Sequence, residues 1–194
     1  MSSTGGNGVR GPYAKGVQRR QEILDRTLDV VATRGIDGAS LRAIGDAIGV
    51  SHAALRHYFA SREALLIEVL RQRDADSVAR TAGIDGVLPR MAHSADHNAS
   101  VPGLVTMYTT LLGASVEPGN EEARAFFTQR FETVRADLAA QLRDELAASG
   151  RYSDADLEQV ASLIIAAFDG LQVQWLLDRS IDIAGTLRLL ERVL

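Results

Sequence analysis

Residues 40–70 read SLRAIGDAIGVSHAALRHYFASREALLIEVL and contain the signals for three short helices in succession. A serine stands where each helix would begin, and serine is a favoured N-cap residue: Ser40, Ser51 and Ser61. Gly49 ends the first helix after about two turns, since glycine readily adopts the left-handed conformation at a helix end. In the second helix Leu55 and Phe59 lie one turn apart on a single apolar face. The stretch therefore predicts a helix, a tight turn at 48–50, a second helix, and a third helix from Ser61.

The second helix of this pair carries hydrogen-bonding side chains on the side away from its apolar face. His52 and Arg56 are four residues apart, as are Ala53 and His57, so these four share an outward face. In a DNA-binding helix-turn-helix such a face enters the major groove, small residues permit close approach, and arginine can make a bidentate contact to guanine. A plain helical hairpin with a solvated polar face is the alternative that this geometry leaves open.

The composition indicates a soluble, helical protein. The 194 residues are 46% hydrophobic and 24% charged, with 5% aromatic residues, and cysteine is absent. Scarce aromatics together with many Ala, Leu and Arg residues favour helices over a sheet. Without cysteine there is no disulfide and no Cys-type zinc site, and the polar start and short apolar runs suggest neither a signal peptide nor a membrane span. We expect a cytoplasmic protein.

Charge is distributed unevenly along the chain. Residues 1–73 contain eleven Lys and Arg against seven Asp and Glu, whereas residues 74–194 contain ten against eighteen. A basic end on an acidic body indicates an anionic partner such as a phosphate backbone, although chance scatter would give the same numbers.

The helical pattern divides the chain into three parts. Residues 1–16 are glycine-rich and are predicted to form a flexible basic arm. Residues 17–62 are predicted to form a three-helix DNA-binding domain, with the first helix running from Val17 to a stop at Gly35. Residues 63–194 are predicted to form a ligand-binding and dimerisation domain built only of helices. Their expected bounds are about 86–98, 102–116, 121–149, a long helix from Ser153, and a short closing segment. The fold class is all-α.

The pattern in residues 40–70 resembles the signature of the TetR family of bacterial transcriptional regulators. That signature has a Thr/Ser-initiated helix, a turn like Ala-Gly-Val, a recognition helix ending in Tyr-Phe, and then Ser-Lys/Arg-Glu-x-Leu-Leu; the match runs from about Val17 to Leu70. The resemblance implies DNA contacts at eight positions: Ser40, Arg42, His52, Ala53, Arg56, His57, Tyr58 and Arg62. The family often has tyrosine where this chain has Arg56, so a base contact and a phosphate contact both remain open there.

The resemblance also implies an effector pocket in the middle of the chain. Bulky apolar residues and two histidines would lie on the helices around it: Met91, His93, His97, Met107, Tyr108, Leu111, Leu112, Phe127 and Trp175. Ligand pockets are mostly apolar with few polar groups. Because few charges fall in this set, we expect a neutral or weakly polar effector. Ordinary core packing is the alternative for most of these residues.

In the family, the last two long helices pair with their copies across a two-fold axis as a four-helix bundle. A self-complementary patch is needed for this, and the last long helix offers a stripe at helical spacing: Phe168, Leu171, Gln172 and Trp175. Internal core is the alternative for these four residues. The surrounding IIAAFDGLQVQWLLD resembles a subgroup that includes repressors of glycine-betaine synthesis.

Other functions find little support in the chain. His93 and His97 have a spacing that can chelate a metal, but two ligands do not make a tight site, and we expect no metal and no cofactor. No phosphate-binding glycine loop, serine nucleophile elbow or HExxH motif occurs, so we expect no enzyme. The expected function is a homodimeric repressor that binds a pseudo-palindromic double-stranded DNA operator and responds to a small-molecule effector. The alternatives are an activator, or a helical small-molecule or metal-binding protein whose DNA head is non-functional.

Overall fold

The computed structural model describes residues 12–193, and apart from residues 12–14 and 149 it also describes their side chains. Within that range every regular element is a helix, which confirms the all-α prediction. The α-helices are α1 Pro12–Gly38, α2 Leu41–Ile48, α3 His52–Tyr58, α4 Arg62–Thr81, α5 Val87–Ser100, α6 Leu104–Ser115, α7 Glu121–Leu146, α8 Asp154–Leu177 and α9 Ile183–Leu190. A 3₁₀ turn at Ala147–Ser149 extends α7.

Helix α1 begins earlier than the apolar pattern predicts. It starts at Pro12 rather than at Val17, so residues 12–16 of the predicted arm are helical, while residues 1–11 lie outside the described part of the chain. Proline is favoured at the first helical position because its missing N–H has no partner there in any case. Gly35 has φ 68° and ψ 170°, so the regular helix ends there as predicted, and one further turn reaches Gly38.

The three predicted serine caps are present. In each case the Oγ atom accepts a hydrogen bond from the backbone N–H three residues later, at 3.1 Å for Ser40, 3.1 Å for Ser51 and 2.8 Å for Ser61. Gly49 closes α2 in the left-handed conformation, with φ 69°. Local chemistry thus sets the bounds of the helices in residues 40–70.

The first four helices form a core that continues into the body of the protein. Buried side chains of α1 to α4 pack in one cluster with the facing residues of α6 and the first turns of α7: among them are Ile23, Ile44, Leu55, Phe59, Leu66, Met107 and Phe127. Helix α4 contributes to this cluster through its first nine residues and then continues beyond it. Together with α1, which packs on α6, it connects the helix-turn-helix to the rest of the chain.

Two further clusters hold the body together. One joins α7 and α8 with the start of α5, around Leu142, Ala161 and Ile164. The other joins α5, α8 and α9, around Ala92, Ala95, Ala184 and Leu187. Small alanine side chains at this second contact allow α5 and α9 to pack closely.

Candidate DNA-binding surface and effector cleft

The turn between α2 and α3 brings the two helices into close contact. A Cβ atom added to Gly45 would lie 2.5 Å from the Val50 carbonyl oxygen and 3.1 Å from Leu55 Cδ1. Leu55 is fully buried and Phe59 is 3% exposed, so they anchor α3 from beneath as the spacing predicts. The sequence alone does not predict a role for Gly45, because that role depends on the backbone conformation of the following turn.

The opposite face of α3 is open to solvent. The four residues predicted to share the outward face, His52, Ala53, Arg56 and His57, are all exposed, as are Ser40 and Arg42. Tyr58 is half-buried, and its ring makes an edge-on contact with His57 at a centroid distance of 5.6 Å. Six of the eight side chains predicted to contact DNA are therefore exposed, and Tyr58 lies against one of them.

Arg62 occupies a different environment from the other seven predicted contacts. It is half-buried, and its guanidinium donates a hydrogen bond to the Ile36 carbonyl, at the end of α1. Arginine at the start of α4 thus ties that helix to the last turn of α1. The structure gives Arg62 a positioning role for the helix-turn-helix, which the resemblance alone did not indicate.

A cleft of about 690 Å³ lies in the body of the protein. Helix α4 forms one wall and α7 the other, α5 closes one side, and residues of α6 and α8 form the floor. Of the nine predicted pocket residues, Met91 and Tyr108 line this cleft. The volume is in the usual range for small-molecule sites.

The other seven predicted pocket residues do not line this cleft. Met107, Leu111, Phe127 and the partly buried Leu112 pack in the first core cluster, and Trp175 packs against α5 and α9. His93 is exposed and neither it nor His97 lines the cleft. These side chains lie on faces of their helices that point elsewhere, and a sequence pattern cannot distinguish an apolar face toward the core from one toward a cavity.

Hydrogen bonds between polar residues connect the helices around the cleft, and of these residues Tyr108 is the one that was predicted to line a pocket. Arg130 on α7 donates two hydrogen bonds to Asp74 on α4, at 2.8 Å from Nε and 2.9 Å from Nη2. Its Nη1 also donates to the Tyr108 hydroxyl at 3.2 Å, and that hydroxyl donates to Asp169 Oδ2 on α8 at 3.2 Å. Gln172 Nε2 donates to the other Asp169 oxygen at 3.4 Å. We call Asp74, Arg130, Tyr108 and Asp169 the polar chain.

Burial changes the acidity of the polar chain. Removal from water raises the pKa of the Asp169 carboxyl, although the Tyr108 hydroxyl and the charge of Arg130 oppose that shift. Burial likewise raises the pKa of the Tyr108 phenol. Burial alone would lower the pKa of Arg130, but its hydrogen bonds to Asp74 hold that pKa above the usual value. Arg130 is therefore paired with Asp74, whereas the donors to Asp169 within the described part of the chain are the neutral Tyr108 and Gln172 side chains.

The two histidines of α5 do not assemble a metal site with other ligands. Within residues 12–193 no group of three or more His, Cys, Asp or Glu side chains is placed to hold an ion. Burial, followed by the nearby charges of Arg80 and Arg73, lowers the pKa of His97.

The stripe predicted to form the dimer interface is already occupied within the chain. Phe168, Leu171 and Trp175 pack against α5 and α9, and Gln172 is 2% exposed beside the cleft. Part of the surface of these side chains is therefore packed within the chain, and Phe168, Leu171 and Trp175 are half-buried.

The outer face of α8 carries a different apolar stripe. Five exposed residues follow heptad spacing along it: Leu163, Ala166, Gly170, Val173 and Leu177. Leu163 is 69% exposed and Leu177 is 86% exposed. By length and composition α8 is apolar enough to cross a membrane, with a mean hydropathy of 1.6 over 18 residues, of which 22% are buried within the chain. Among the described helices, α8 is the one that is both long enough and apolar enough to cross a membrane.

Comparisons with known proteins agree with both halves of this architecture. Residues 23–69 match the family model of bacterial regulatory proteins of the tetR family, and residues 105–194 match the model of the BetI-type transcriptional repressor C-terminal region. The second match agrees with the subgroup that the IIAAFDGLQVQWLLD stretch resembles.

Individual relatives cover the chain to different extents. The AcnR repressor of Corynebacterium diphtheriae is 31% identical over 83 residues, which are 41% of this chain and 44% of that protein. The BetI regulator of Rhizobium meliloti is 28% identical over 166 residues, or 80% of this chain and 77% of that protein. The first four curated relatives are matched over only about two fifths of their length.

Solved structures share the fold. A putative transcriptional regulator of Saccharomonospora viridis, crystallised in complex with choline, superimposes with a TM-score of 0.68 at 21% identity, covering 91% of this chain and 95% of that one. With family matches over both the helix-turn-helix and the helical body, the chain belongs to the TetR family of bacterial transcriptional regulators.

Proposed function

We propose that this protein is a cytoplasmic, homodimeric transcriptional repressor that binds a pseudo-palindromic DNA operator and leaves it when a small molecule occupies the cleft. The observation that carries the proposal is the exposed face of α3. There, hydrogen-bonding side chains project from a helix that is held by a buried Leu55 and capped by Ser51. Family membership gives this face its assignment to the major groove.

The α3 surface is well suited to DNA because its cations are not engaged elsewhere. Arg56 and Arg42 make none of the ion pairs found in the described part of the chain, so both guanidinium groups can turn to an approaching anion. His52 and Ala53 lie at the start of α3, the part of a recognition helix that faces base edges. Ser40 and Arg42 lie at the start of α2, where phosphate contacts position the protein.

A dimer is needed to place two such helices on one operator. The exposed stripe Leu163, Ala166, Gly170, Val173 and Leu177 suits that role, because small residues at its centre permit close helix approach while larger ones flank them. An isologous pairing of α8 with its copy would remove this apolar surface from water. For a chain with a DNA-binding domain, burial of the exposed stripe in a dimer interface is a simpler explanation than insertion of α8 into a membrane.

The cleft supplies a chemically specific effector site. Asp169 lines it and, among the described residues, accepts side-chain hydrogen bonds from the neutral Tyr108 and Gln172. A half-buried carboxylate that makes no ion pair in the described part of the chain favours a ligand that carries positive charge. We therefore propose a cationic effector in place of the neutral or weakly polar one that the sequence suggests. Because a protein of the same fold was crystallised with choline, choline is the first ligand to test.

A gel-shift experiment tests DNA binding. Purified protein is expected to retard DNA from around its own gene, and the double variant Arg56→Ala/His57→Ala is expected to lose the shift while remaining dimeric by sedimentation. The matched control is Arg188→Ala/His93→Ala, which removes the same two residue types from exposed positions far from α3 in sequence. Tight binding by the α3 variant, or no DNA recovered by the wild type in a random-sequence selection, would contradict the proposal.

The same assay tests the effector. Choline chloride is expected to release the DNA at a concentration at which sodium chloride does not, which separates specific release from salt screening. Asp169→Asn is expected to retain DNA binding and to lose the response to choline. Equal release by the two salts would show that choline is not the effector.

A further inference from the structure

The cleft extends lengthwise through the helical body. The residues that line it fall within 126–141 on α7, 70–82 on α4 and 87–98 on α5. At the rise of an α-helix these three walls are roughly 16–23 Å long. A space of about 690 Å³ between walls of that length accommodates an extended, drug-sized molecule rather than only a cation as small as choline.

Two hydrogen bonds show how the walls are oriented. Glu63 Oε1, on the first turn of α4, accepts a hydrogen bond from the Ala123 backbone N–H at the start of α7, at 3.0 Å. Glu145 Oε1, on the last turn of α7, accepts one from the Val87 backbone N–H at the start of α5, at 2.8 Å. Helices α4 and α7 therefore run in the same direction, away from the helix-turn-helix, and α5 returns beside them.

Charged groups of the polar chain lie in the part of the cleft toward the helix-turn-helix, which we call the near end. There Asp74 forms its bidentate pair with Arg130. Asp169 is half-buried as well, but it makes no ion pair in the described part of the chain. The near end therefore offers a carboxylate to a cationic group.

The opposite end of the cleft, which we call the far end, is apolar. Val87 is 1% exposed and Leu138 is 8% exposed there, and both pack in one cluster with Ile165 and the half-buried Met91. Leu138 lies eight residues beyond Arg130 on α7, so roughly 12 Å of helix separates the two ends. A ligand that reaches from Asp169 to the far end passes from a charged to an apolar environment.

Arginines besides Arg130 also line the cleft. Arg90 is engaged at the far end, where its Nε donates to the Gly86 carbonyl at 3.1 Å and its Nη2 lies 3.9 Å from Glu145. Arg73 makes no ion pair within residues 12–193. An anionic head group bound at Arg73 is therefore the competing chemistry that an experiment has to exclude.

From this arrangement we propose that the effector is a cationic amphiphile, with an amine or quaternary ammonium head at Asp169 and an unbranched apolar tail that extends along α7 to the far end. An extended chain advances about 1.2 Å per bond, so a tail of about ten carbons spans the distance between the two ends. This inference rests on the proposed function, in that it takes the cleft as the effector site. It adds the tail, whereas choline corresponds to the head alone.

The tail is expected to supply much of the binding free energy. Burial of each methylene group strengthens binding by up to about fourfold, so affinity rises with tail length until the tail fills the cleft and then levels off. A head without a tail leaves the apolar walls of the far end in contact with water. Choline is accordingly expected to bind, but weakly.

Isothermal titration calorimetry of the full-length protein without DNA measures this dependence. The ligands are tetramethylammonium, butyltrimethylammonium, octyltrimethylammonium and decyltrimethylammonium chloride, each kept below its micelle concentration. The dissociation constant is expected to fall by about 100-fold from the butyl to the octyl compound. Octanol and octyl sulfate present the same tail on a neutral and an anionic head, and each is expected to bind at least about tenfold more weakly than octyltrimethylammonium.

Variants separate the head from the tail. Asp169→Asn is expected to abolish the difference between octyltrimethylammonium and octanol while the dependence on tail length persists. Val134→Phe places a ring one turn beyond Arg130 and is expected to abolish the gain from butyl to octyl. The matched control is Val101→Phe, the same change at another half-buried valine, which packs in the first core cluster and does not line the cleft.

A second variant keeps the test independent of the folding of Val134→Phe. Met91→Trp fills the far end from α5 and is expected to give the same loss of the tail-length dependence. Equal dissociation constants across the wild-type series, or octyl sulfate bound as tightly as octyltrimethylammonium, would overturn the proposal.

These outcomes are distinct from those of the proposed function. If choline released DNA while the calorimetric series was flat, the chain would still be a repressor, with a small effector. If the wild type bound no DNA, the proposed function would fail, and the series would still decide whether the cleft takes a cationic amphiphile.

Discussion

At the scale of single residues, Gly45 decides how closely α2 and α3 approach. Alanine usually stabilises a helix relative to glycine by about 1 kcal/mol, yet a methyl group here would meet the Val50 carbonyl oxygen at 2.5 Å. The steric effect outweighs propensity because the obstacle is backbone, which cannot turn aside. Gly45→Ala is therefore expected to lower the free energy of unfolding by about 1–3 kcal/mol and to weaken DNA binding, as measured by urea denaturation and gel shift.

Gly113 provides the matched comparison. It lies within α6, is exposed, and an added Cβ would have no neighbour within 4 Å. Gly113→Ala is expected to raise the free energy of unfolding by about 0.5–1 kcal/mol. If both substitutions shifted stability in the same direction, the close approach at Gly45 would not be what the glycine provides.

Single residues also show which contacts a local sequence motif cannot predict. The serine caps and the exposed positions of α3 follow from local spacing, so they could be read from the sequence. Arg62 could not, because its partner is the Ile36 carbonyl, 26 residues earlier. Asp74 and Arg130 are 56 residues apart, and no local pattern indicates that pairing.

At the scale of elements, α8 is apolar on two faces that serve different purposes. One packs against α5 and α9, and the other carries the exposed stripe with Leu163 and Leu177. The helical spacing of apolar residues is equally regular on both faces, so the sequence alone predicts the stripe at 168–175 as a dimer interface. Only the placement of α9 shows which face remains open.

A charge on the exposed stripe tests the dimer. Leu163→Glu would bury two carboxylates in an isologous interface, and such burial costs several kcal/mol for each charge unless it is paired. The variant is expected to sediment as a monomer and to bind DNA weakly. Val116→Glu is the control, since Val116 is 75% exposed against 69% for Leu163 and lies outside α8. A Leu163→Glu protein with wild-type mass would exclude this stripe as the interface.

At the scale of the whole molecule, charge is separated between the DNA-binding head and the body. The first 73 residues contain eleven basic and seven acidic side chains, and the remainder contains ten and eighteen. The acidic body would repel phosphates and thereby favour approach through the head. Binding to an operator is accordingly expected to weaken steeply as salt rises.

The salt dependence can be assigned to particular side chains. Removing one phosphate contact lowers the slope of log affinity against log salt by about one. Arg42→Ala is expected to do so, whereas Arg188→Ala, an exposed cation on α9, is expected to leave the slope unchanged. Fluorescence anisotropy at several salt concentrations measures both. Coincident slopes for Arg42→Ala and wild type would remove Arg42 from the set of phosphate contacts.

The sequence by itself determined the helices and the face of α3 that projects to solvent. Those features depend on caps, glycine stops and the 3.6-residue period, all of which act within a few residues. The cleft, the polar chain that crosses it and the open face of α8 were decided only by tertiary structure. Each depends on which helices become neighbours. An apolar helix face has the same sequence pattern whether it packs in a core, contacts a ligand or binds a second subunit.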